Sequence, residues 1–547
     1  MTALAAGAGP PEKTSAIRSV LPEAGLLVGD FVTCGSLPPQ DSRGPSGSLE
    51  SVGKWFSSSG FVLATVLGLS IPSSVQAQPE PGQEPVTVAV PMRDGATLAT
   101  DVYLPSGDPP WPTLLIRTPY GRGLQSEVAR DYASVDLAVV VQDMRGRGDS
   151  EGTDPVYHSD GDGALQDGYD TFVWIREQPW AYGTIATFGG SALGIVQYLQ
   201  AASAPPGLVA MHPAAAVGDL YDEIYFPGGV FRHQLVVQWL IDQGSKGYLE
   251  QIEAHPYVDA FWDPVQASNK LDVIKVPALH LGGWYDIFTQ GTIDAFLRYQ
   301  HQAGPGARGR QKLVMGPWTH DRFHKQEQGQ LRLPAEAKHA PYPVGDVLNT
   351  LLDETLGTRW DTIADNYDAI PPVQYYVMGD VDDPTAPGNQ WRTAPDWPPQ
   401  GAKVRLHLQQ DNLLAERCPT SANATTRYRY DPERPVPTIG GANLYIDAGP
   451  YDQRPIENRD DVVVFSTESL TEPVEVTGRV QAHLFVRIDR PDTDLMVRLS
   501  DVYPDGRSML VADGALRLAT WGTNTGIESL RPTDVVEGVV DLGSTSI

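Results

Sequence analysis

The sequence predicts an α/β protein in three pieces: a mostly parallel sheet domain over 84–205 and 273–365, a helical cap inserted over 206–272, and a β-sandwich over 368–547. Three observations carry this reading. Apolar runs such as Thr113-Leu-Leu-Ile and Leu137-Ala-Val-Val-Val alternate with helical stretches, the pattern of strands buried on both faces and joined by crossover helices. Between 206 and 272 the chain is helical and aromatic, as in Val236-Val-Gln-Trp-Leu-Ile, and no strand run is read before Val276-Pro-Ala-Leu-His-Leu. Beyond 368, short alternating segments such as Val404-Arg-Leu-His-Leu and Ala482-His-Leu-Phe-Val-Arg-Ile are cut by Pro, Gly and Asp turns.

The N-terminal residues come before any of this. Residues 1–51 are rich in Gly, Pro and Ser and show no sustained period, so they read as an unstructured leader or a mis-called start. Residues 61–71 form an apolar run, with Lys54 before it and Ser-Ser-Val-Gln-Ala-Gln after it. That is the layout of a signal peptide over 52–77, cleaved after Ala77, and the run is too short to span a bilayer. A secreted or periplasmic protein is expected, with translation starting near Val52. From Val86 the chain alternates like a strand, turns at Arg93-Asp-Gly and resumes at Thr97-Leu-Ala-Thr, which predicts an opening hairpin.

Composition narrows the function. The 547 residues are 41% hydrophobic and 20% charged, with a net charge of -28 and a pI near 4.7. That charge argues against a nucleic-acid partner and, once the leader is removed, against an anionic membrane. Cys34 and Cys418 are the only cysteines, so a disulfide framework and a cysteine zinc site are both excluded. Loss of the leader would leave Cys418 unpaired.

The chemistry centres on Thr184-Ile-Ala-Thr-Phe-Gly-Gly-Ser-Ala-Leu-Gly: a strand, a glycine-flanked serine and a helix that begins at once. This is a nucleophile elbow of the α/β-hydrolase type, one residue away from Gly-x-Ser-x-Gly. Gly189 allows the turn, Ser191 stands at its apex, and Gly194 lets the helix pack closely. A serine hydroxyl needs a base to take its proton and a carboxylate to orient that base, and in this fold the order along the chain is Ser, acid, His. Asp286 follows the strand Pro277-Ala-Leu-His-Leu, and His320 follows Gln311-Lys-Leu-Val-Met. The plain alternatives are a helix-capping Asp286 and a surface His320. His320 and His324 have the spacing of a zinc pair but no third ligand, and Asp160-Gly-Asp-Gly lacks the glutamate of a calcium loop. Neither a metal nor a cofactor is expected.

Taken with Val90-Pro-Met-Arg-Asp-Gly, Arg117-Thr-Pro-Tyr-Gly, Gln142-Asp-Met-Arg-Gly, Trp174-Ile-Arg-Glu-Gln-Pro-Trp, Gly282-Gly-Trp-Tyr-Asp and Gly316-Pro-Trp-Thr-His, the chain resembles the cocaine esterase, glutaryl-cephalosporin acylase and X-Pro dipeptidyl-peptidase family. The resemblance implies a triad of Ser191, Asp286 and His320, a helical cap over the site and a C-terminal jelly roll. It also implies an oxyanion hole made by the Tyr120 hydroxyl and the Ala192 N–H, and an aromatic Phe288 in the substrate pocket. Where the family often has Tyr after the nucleophile this chain has Ala192, and Ile287-Phe-Thr supplies no carboxylate cluster beside the acid. The family's sandwich continues past Ile547, so the jelly roll is expected to be incomplete.

The expected reaction is acyl transfer through a covalent acyl-enzyme on a small-molecule ester, with X-Pro dipeptidyl-peptidase or acylase activity on an amide as the alternative. A non-catalytic binding protein on the same scaffold is the reading from another class.

Overall fold

The computed structural model describes residues 16–22, 26–29, 84–358, 366–420, 425–520, 530–532 and 534–547. Two short strands come first, β1 (Ala16–Pro22) and β2 (Leu26–Gly29). The hairpin β3 (Val86–Pro91) and β4 (Thr97–Tyr103) follows, turning through a Met92 N–H to Ala96 carbonyl bond of 2.8 Å. Next come β5 (Trp111–Thr118), helix α1 (Ser126–Ala133), β6 (Ala138–Asp143), α2 (Asp167–Arg176), β7 (Ala181–Gly190), α3 (Ala192–Ala202) and β8 (Leu208–Ala214). The cap contributes α4 (His233–Asp242) and α5 (Leu249–Ala254). The chain then re-enters the sheet through β9 (Ala278–Tyr285), α6 (Thr289–His301) and β10 (Gln311–Thr319).

Strands β3 to β10 belong to one ten-stranded sheet. After the small hairpin β11 (Glu327–Gln328) and β12 (Leu331–Arg332) and helix α7 (Val344–Leu356), the sheet is completed by β13 (Val373–Val377) and β14 (Gln390–Ala394). The order is β14-β13-β10-β9-β8-β7-β5-β6-β4-β3. The pairings from β6 through to β13 are parallel, and the pairings that add β4, β3 and β14 are antiparallel. The reason lies in the strand sequences. Every residue of β6, β9, β10 and β13 is buried, as helices packed on both faces require. The core runs from Leu114, Ile116, Val139 and Val141 through Leu199 and Tyr198 to Leu279 and Val314.

The remaining strands form the sandwich. β15 (His407–Leu408) and β16 (Leu414–Ala415) pair with each other, and they are followed by β17 (Thr425–Tyr428), β18 (Val462–Ser466), β19 (Thr477–Ile488), β20 (Asp494–Val502), β21 (Ser508–Arg517) and β22 (Val536–Ser546). The two four-stranded sheets run β18-β1-β20-β21 and β17-β2-β19-β22. They enclose Phe465, Val486, Ile488, Leu495, Val497, Leu516 and Val540.

The structure differs from the sequence reading at three places. Residues 1–51 do not all lie outside the fold, because β1 pairs antiparallel with β18 and β20, and β2 with β17 and β19. The runs Ala16–Pro22 and Leu26–Gly29 are short, but two neighbouring strands satisfy their backbone groups, which no composition count registers. The strand β8 falls inside the stretch read as a helical cap. Its Met-His-Pro-Ala end looks irregular in sequence, yet β7 on one side and β9 on the other hold it in the sheet. Beyond 368, β13 and β14 extend the main sheet rather than the sandwich. The signal peptide read over 52–77 lies outside the described residues. Among the described residues, no helix is long and apolar enough to cross a membrane.

The cap is fastened to the sheet domain by aromatic packing. His158, on the loop after β6, lies 4.5 Å from the Phe261 ring and 5.8 Å from Tyr248. This cage strips water from the charged imidazole, and His255 adds repulsion, so the His158 pKa is pushed down to about 4. A histidine whose folded pKa lies below its unfolded value of about 6.5 gains a proton on unfolding, so stability is lost as pH falls from about 6.5 through about 4. His158→Phe keeps the packing without the titration. Its urea midpoint is expected to gain on that of the wild type steadily from pH 6.5 to 4 and to run parallel above pH 7. Parallel behaviour throughout would show that His158 is not linked to unfolding.

Candidate active site

The carboxyl ends of the parallel strands deliver the reactive groups to one edge of the sheet. Between β7 and α3, Ser191 adopts φ 57 and ψ -126, a conformation that costs a non-glycine residue about 1–3 kcal/mol. The surroundings enforce it. The Ser191 N–H donates to the Ala214 carbonyl at 2.9 Å, and the Ser191 carbonyl accepts from the Gly194 and Ile195 N–H groups. Gly189 has φ 141, and a Cβ on Gly194 would lie 2.6 Å from the Cβ of Ala216. The two glycines supply what the elbow needs: one the turn, the other the close approach of α3 to the strand beyond.

Asp286 and His320 directly follow β9 and β10, which are paired in parallel register. His320 Nδ1 lies 2.7 Å from Asp286 Oδ2, and His320 Nε2 lies 2.9 Å from Ser191 Oγ. A carboxylate only accepts, so Nδ1 carries the hydrogen and Nε2 is left to accept from the serine hydroxyl. Asp286 is 1% exposed. Its second oxygen accepts the Phe288 N–H at 2.6 Å in the turn before α6; α6 begins at Thr289 with no side-chain cap, so Asp286 is not its capping residue. Phe288 is buried, with its ring edge-on to the His320 imidazole at 5.5 Å.

Tyr120 closes the other side of the serine. Its N–H donates to Thr118 Oγ1 at 3.1 Å, and Gly121 follows with φ 98. Its hydroxyl stands beside Ser191, and burial raises its pKa while its hydrogen bonds with Trp239 and Ser191 pull it back. Ala192 is the first residue of α3, where an N–H has no partner within the helix. A negative charge developing next to Ser191 would therefore meet a phenol hydroxyl, a free backbone N–H and the positive end of a helix.

Other residues were not legible from the sequence. Trp239, on α4, donates its Nε1–H to the Tyr120 hydroxyl at 3.2 Å. Arg147 donates to the Pro119 carbonyl at 3.1 Å, to Gln243 Oε1 at 2.6 Å and to Ser245 Oγ at 3.0 Å, tying the Tyr120 loop to the end of α4. Arg232 donates to the Ile287 carbonyl at 2.9 Å and to the Ala442 carbonyl at 2.7 Å, joining the cap, the loop of Asp286 and the connection between β17 and β18 of the sandwich. No sequence spacing links these pairs.

The motif residues outside the row are chiefly structural. Asp143 accepts the Arg122 N–H at 2.6 Å, Arg145 binds Asp167 at 2.6 Å and Asp94 at 2.8 Å, and Arg93 binds Asp170. Asp160, in the segment weighed as a calcium loop, pairs with the buried Arg117 instead. Burial pushes its pKa up to about 6 against the pull of that guanidinium. His324 is held by the Lys338 carbonyl at 2.7 Å, and no group of three or more metal-ligating side chains exists among the described residues.

Gly194→Val would force α3 away from Ala216. It is expected to cost about 1–3 kcal/mol of stability and to slow labelling of Ser191 by a fluorophosphonate. An unchanged melting temperature and labelling rate would show that the elbow tolerates the wider spacing.

The chain is similar to known proteins over most of its length. The model of the X-Pro dipeptidyl-peptidase (S15 family) matches residues 94–247 and 241–322, and that of the X-Pro dipeptidyl-peptidase C-terminal non-catalytic domain matches residues 366–546. Cocaine esterase of Rhodococcus sp. (strain MB1 Bresler) is 32% identical over 530 residues, covering 84% of this chain and 87% of that protein. Among solved structures, an aminopeptidase from the marine sediment archaeon Thaumarchaeota archaeon superposes with a TM-score of 0.72 at 24% identity, over 87% of this chain and 88% of its own. An α-amino acid ester hydrolase superposes with a TM-score of 0.70 at 22% identity, over 86% and 89%. The two structures share the α/β-hydrolase fold with its β-rich C-terminal domain, and the matched models together with the cocaine esterase relative show that the chain belongs to the X-Pro dipeptidyl-peptidase (S15) family of serine hydrolases.

Proposed function

We propose that the protein is a serine esterase that cleaves carboxylic esters of small molecules through an acyl-enzyme formed on Ser191. The observation that carries this reading is the hydrogen-bonded row from Asp286 through His320 to Ser191. His320 Nε2 takes the hydroxyl proton as Ser191 Oγ bonds to the ester carbonyl carbon, and Asp286 steadies the imidazolium. The carbonyl oxygen becomes an anion next to the Tyr120 hydroxyl and the Ala192 N–H. As the tetrahedral adduct collapses, the ester C–O bond breaks and His320 returns its proton to the leaving alcohol. A water molecule, deprotonated by the same imidazole, then releases the acid. Nothing in these steps calls for a cofactor.

Ester is favoured over peptide because the esterase relative covers most of the chain, and because the residues after Asp286 are Ile287, Phe288 and Thr289, with no carboxylate to hold a free amino terminus. Phe288 stiffens the imidazole and gives the acyl side an apolar wall. Amide cleavage of the dipeptidyl-peptidase or acylase kind is the second reading, supported by the description of the matched family. The leader supports secretion to the outside or the periplasm. Cleavage after Ala77 would also remove β1 and β2, so N-terminal sequencing of mature secreted protein decides both. Recovery of any peptide preceding Ser51 would refute removal of the leader.

Initial rates on p-nitrophenyl acyl esters and on Gly-Pro-p-nitroanilide separate the two substrate classes. Ester turnover that Ser191→Ala abolishes, with the anilide untouched, is the expected outcome, and strong anilide cleavage would transfer the assignment to the peptidase reading. Tyr120→Phe is expected to lower kcat about 100-fold or more with the fold intact by circular dichroism. Unchanged turnover would remove Tyr120 from the oxyanion hole.

A further inference from the structure

A phenol has one hydrogen to give, and its usefulness to an oxyanion depends on where that hydrogen points. An indole N–H can only donate. With the Trp239 Nε1–H directed at Tyr120 Oη at 3.2 Å, the Tyr120 hydroxyl must accept on that side, so its own hydrogen has to turn elsewhere. Ser191 is also within hydrogen-bonding reach of that hydroxyl. From this geometry we infer that Trp239, a residue of the cap, is a positioning residue for catalysis: it aims the Tyr120 hydroxyl hydrogen at the oxyanion formed on Ser191. The inference rests on the reading of Tyr120 as an oxyanion donor and adds the group that directs it.

The indole is itself held in place by an unusual piece of backbone. The Trp239 ring stacks on that of Tyr157, with centroids 5.8 Å apart and planes 20° from parallel. Tyr157 has φ 72, and Val156 before it has φ 44. Two consecutive non-glycine residues in the left-handed region, one of them β-branched, are unfavourable and persist only where the surroundings impose them. Here the Val156 N–H donates to Asp154 Oδ1 at 2.9 Å, while Asp154 Oδ2 accepts from Ser245 Oγ at 2.5 Å and meets Arg147 at 3.3 Å. The same guanidinium donates to the carbonyl of Pro119, next to Tyr120. The strained turn thus presents the Tyr157 ring to Trp239, and one arginine fixes that turn, the end of α4 and the tyrosine loop together. The oxyanion hole is complete only with the cap seated.

A double-mutant cycle on a p-nitrophenyl ester tests this. Trp239→Phe keeps a stacking ring and removes the N–H. A lost neutral hydrogen bond of this kind corresponds to a fall in kcat of about 3- to 10-fold, with KM and the melting temperature unchanged. In the Tyr120→Phe background the same substitution is expected to have no further effect on kcat, because no hydroxyl is left to direct. Trp239→His, which retains a ring N–H, is expected to recover part of the rate and serves as the informative variant if Trp239→Phe folds poorly. An equal loss from Trp239→Phe in both backgrounds would overturn the inference and make Trp239 a wall of the pocket, as would no loss in the wild-type background. A Tyr120→Phe variant as active as the wild type would overturn the reading beneath it, an outcome distinguishable from failure of the cycle alone.

Discussion

The strained backbone of Ser191 is the constraint on which the site depends. A serine at φ 57 projects its hydroxyl above the sheet edge, but the conformation is unfavourable in isolation and survives because it is overdetermined. β7 is clamped between β5 and β8, α3 is pressed against β8 through Gly194, and the Ser191 N–H is anchored to the Ala214 carbonyl. The same clamp leaves the Ala192 N–H at the head of the helix without an intrahelical partner. The projected Ser191 hydroxyl and the backbone donor beside it are consequences of one turn.

The other participants reach that turn from separate parts of the chain. Parallel pairing of β9 and β10 puts Asp286 and His320 side by side, and the buried carboxylate then fixes which imidazole nitrogen holds the hydrogen. The loop after β5 brings Tyr120, and the cap brings Trp239. Arg232 and Arg147 lock these pieces together through backbone carbonyls. Such bonds depend on the position of the acceptor and not on its side chain, which is why they leave no trace in the acceptor sequences.

The arginine- and aspartate-rich motifs have a related purpose. Arg145 pairs with the buried Asp167 and reaches out to the exposed Asp94, and the half-buried Arg122 pairs with the buried Asp143. Breaking a buried pair by removing one partner costs about 3–5 kcal/mol, because the other charge is stranded. The loops after β5 and β6 are thereby fixed in shape next to the reactive serine. Charged motifs that look like chemistry in the sequence are, in the fold, supports of the loops around Ser191.

The sequence by itself determined the parallel sheet, the elbow, the order of Ser191, Asp286 and His320, and the all-β character of the C-terminal piece. These rest on local signals: runs of branched apolar residues, glycines flanking a serine, and charged residues at strand ends. Tyr120 came only through resemblance to a family, because a tyrosine after Thr-Pro carries no local mark of its role. Tertiary structure alone decided that β8 lies inside the apparent cap, that β13 and β14 join the main sheet, and that β1 and β2 enter the sandwich, since a strand's membership is settled by its neighbours. It alone brought Trp239 to Tyr120 across 119 residues of chain, a meeting that depends on how the cap folds back over the sheet.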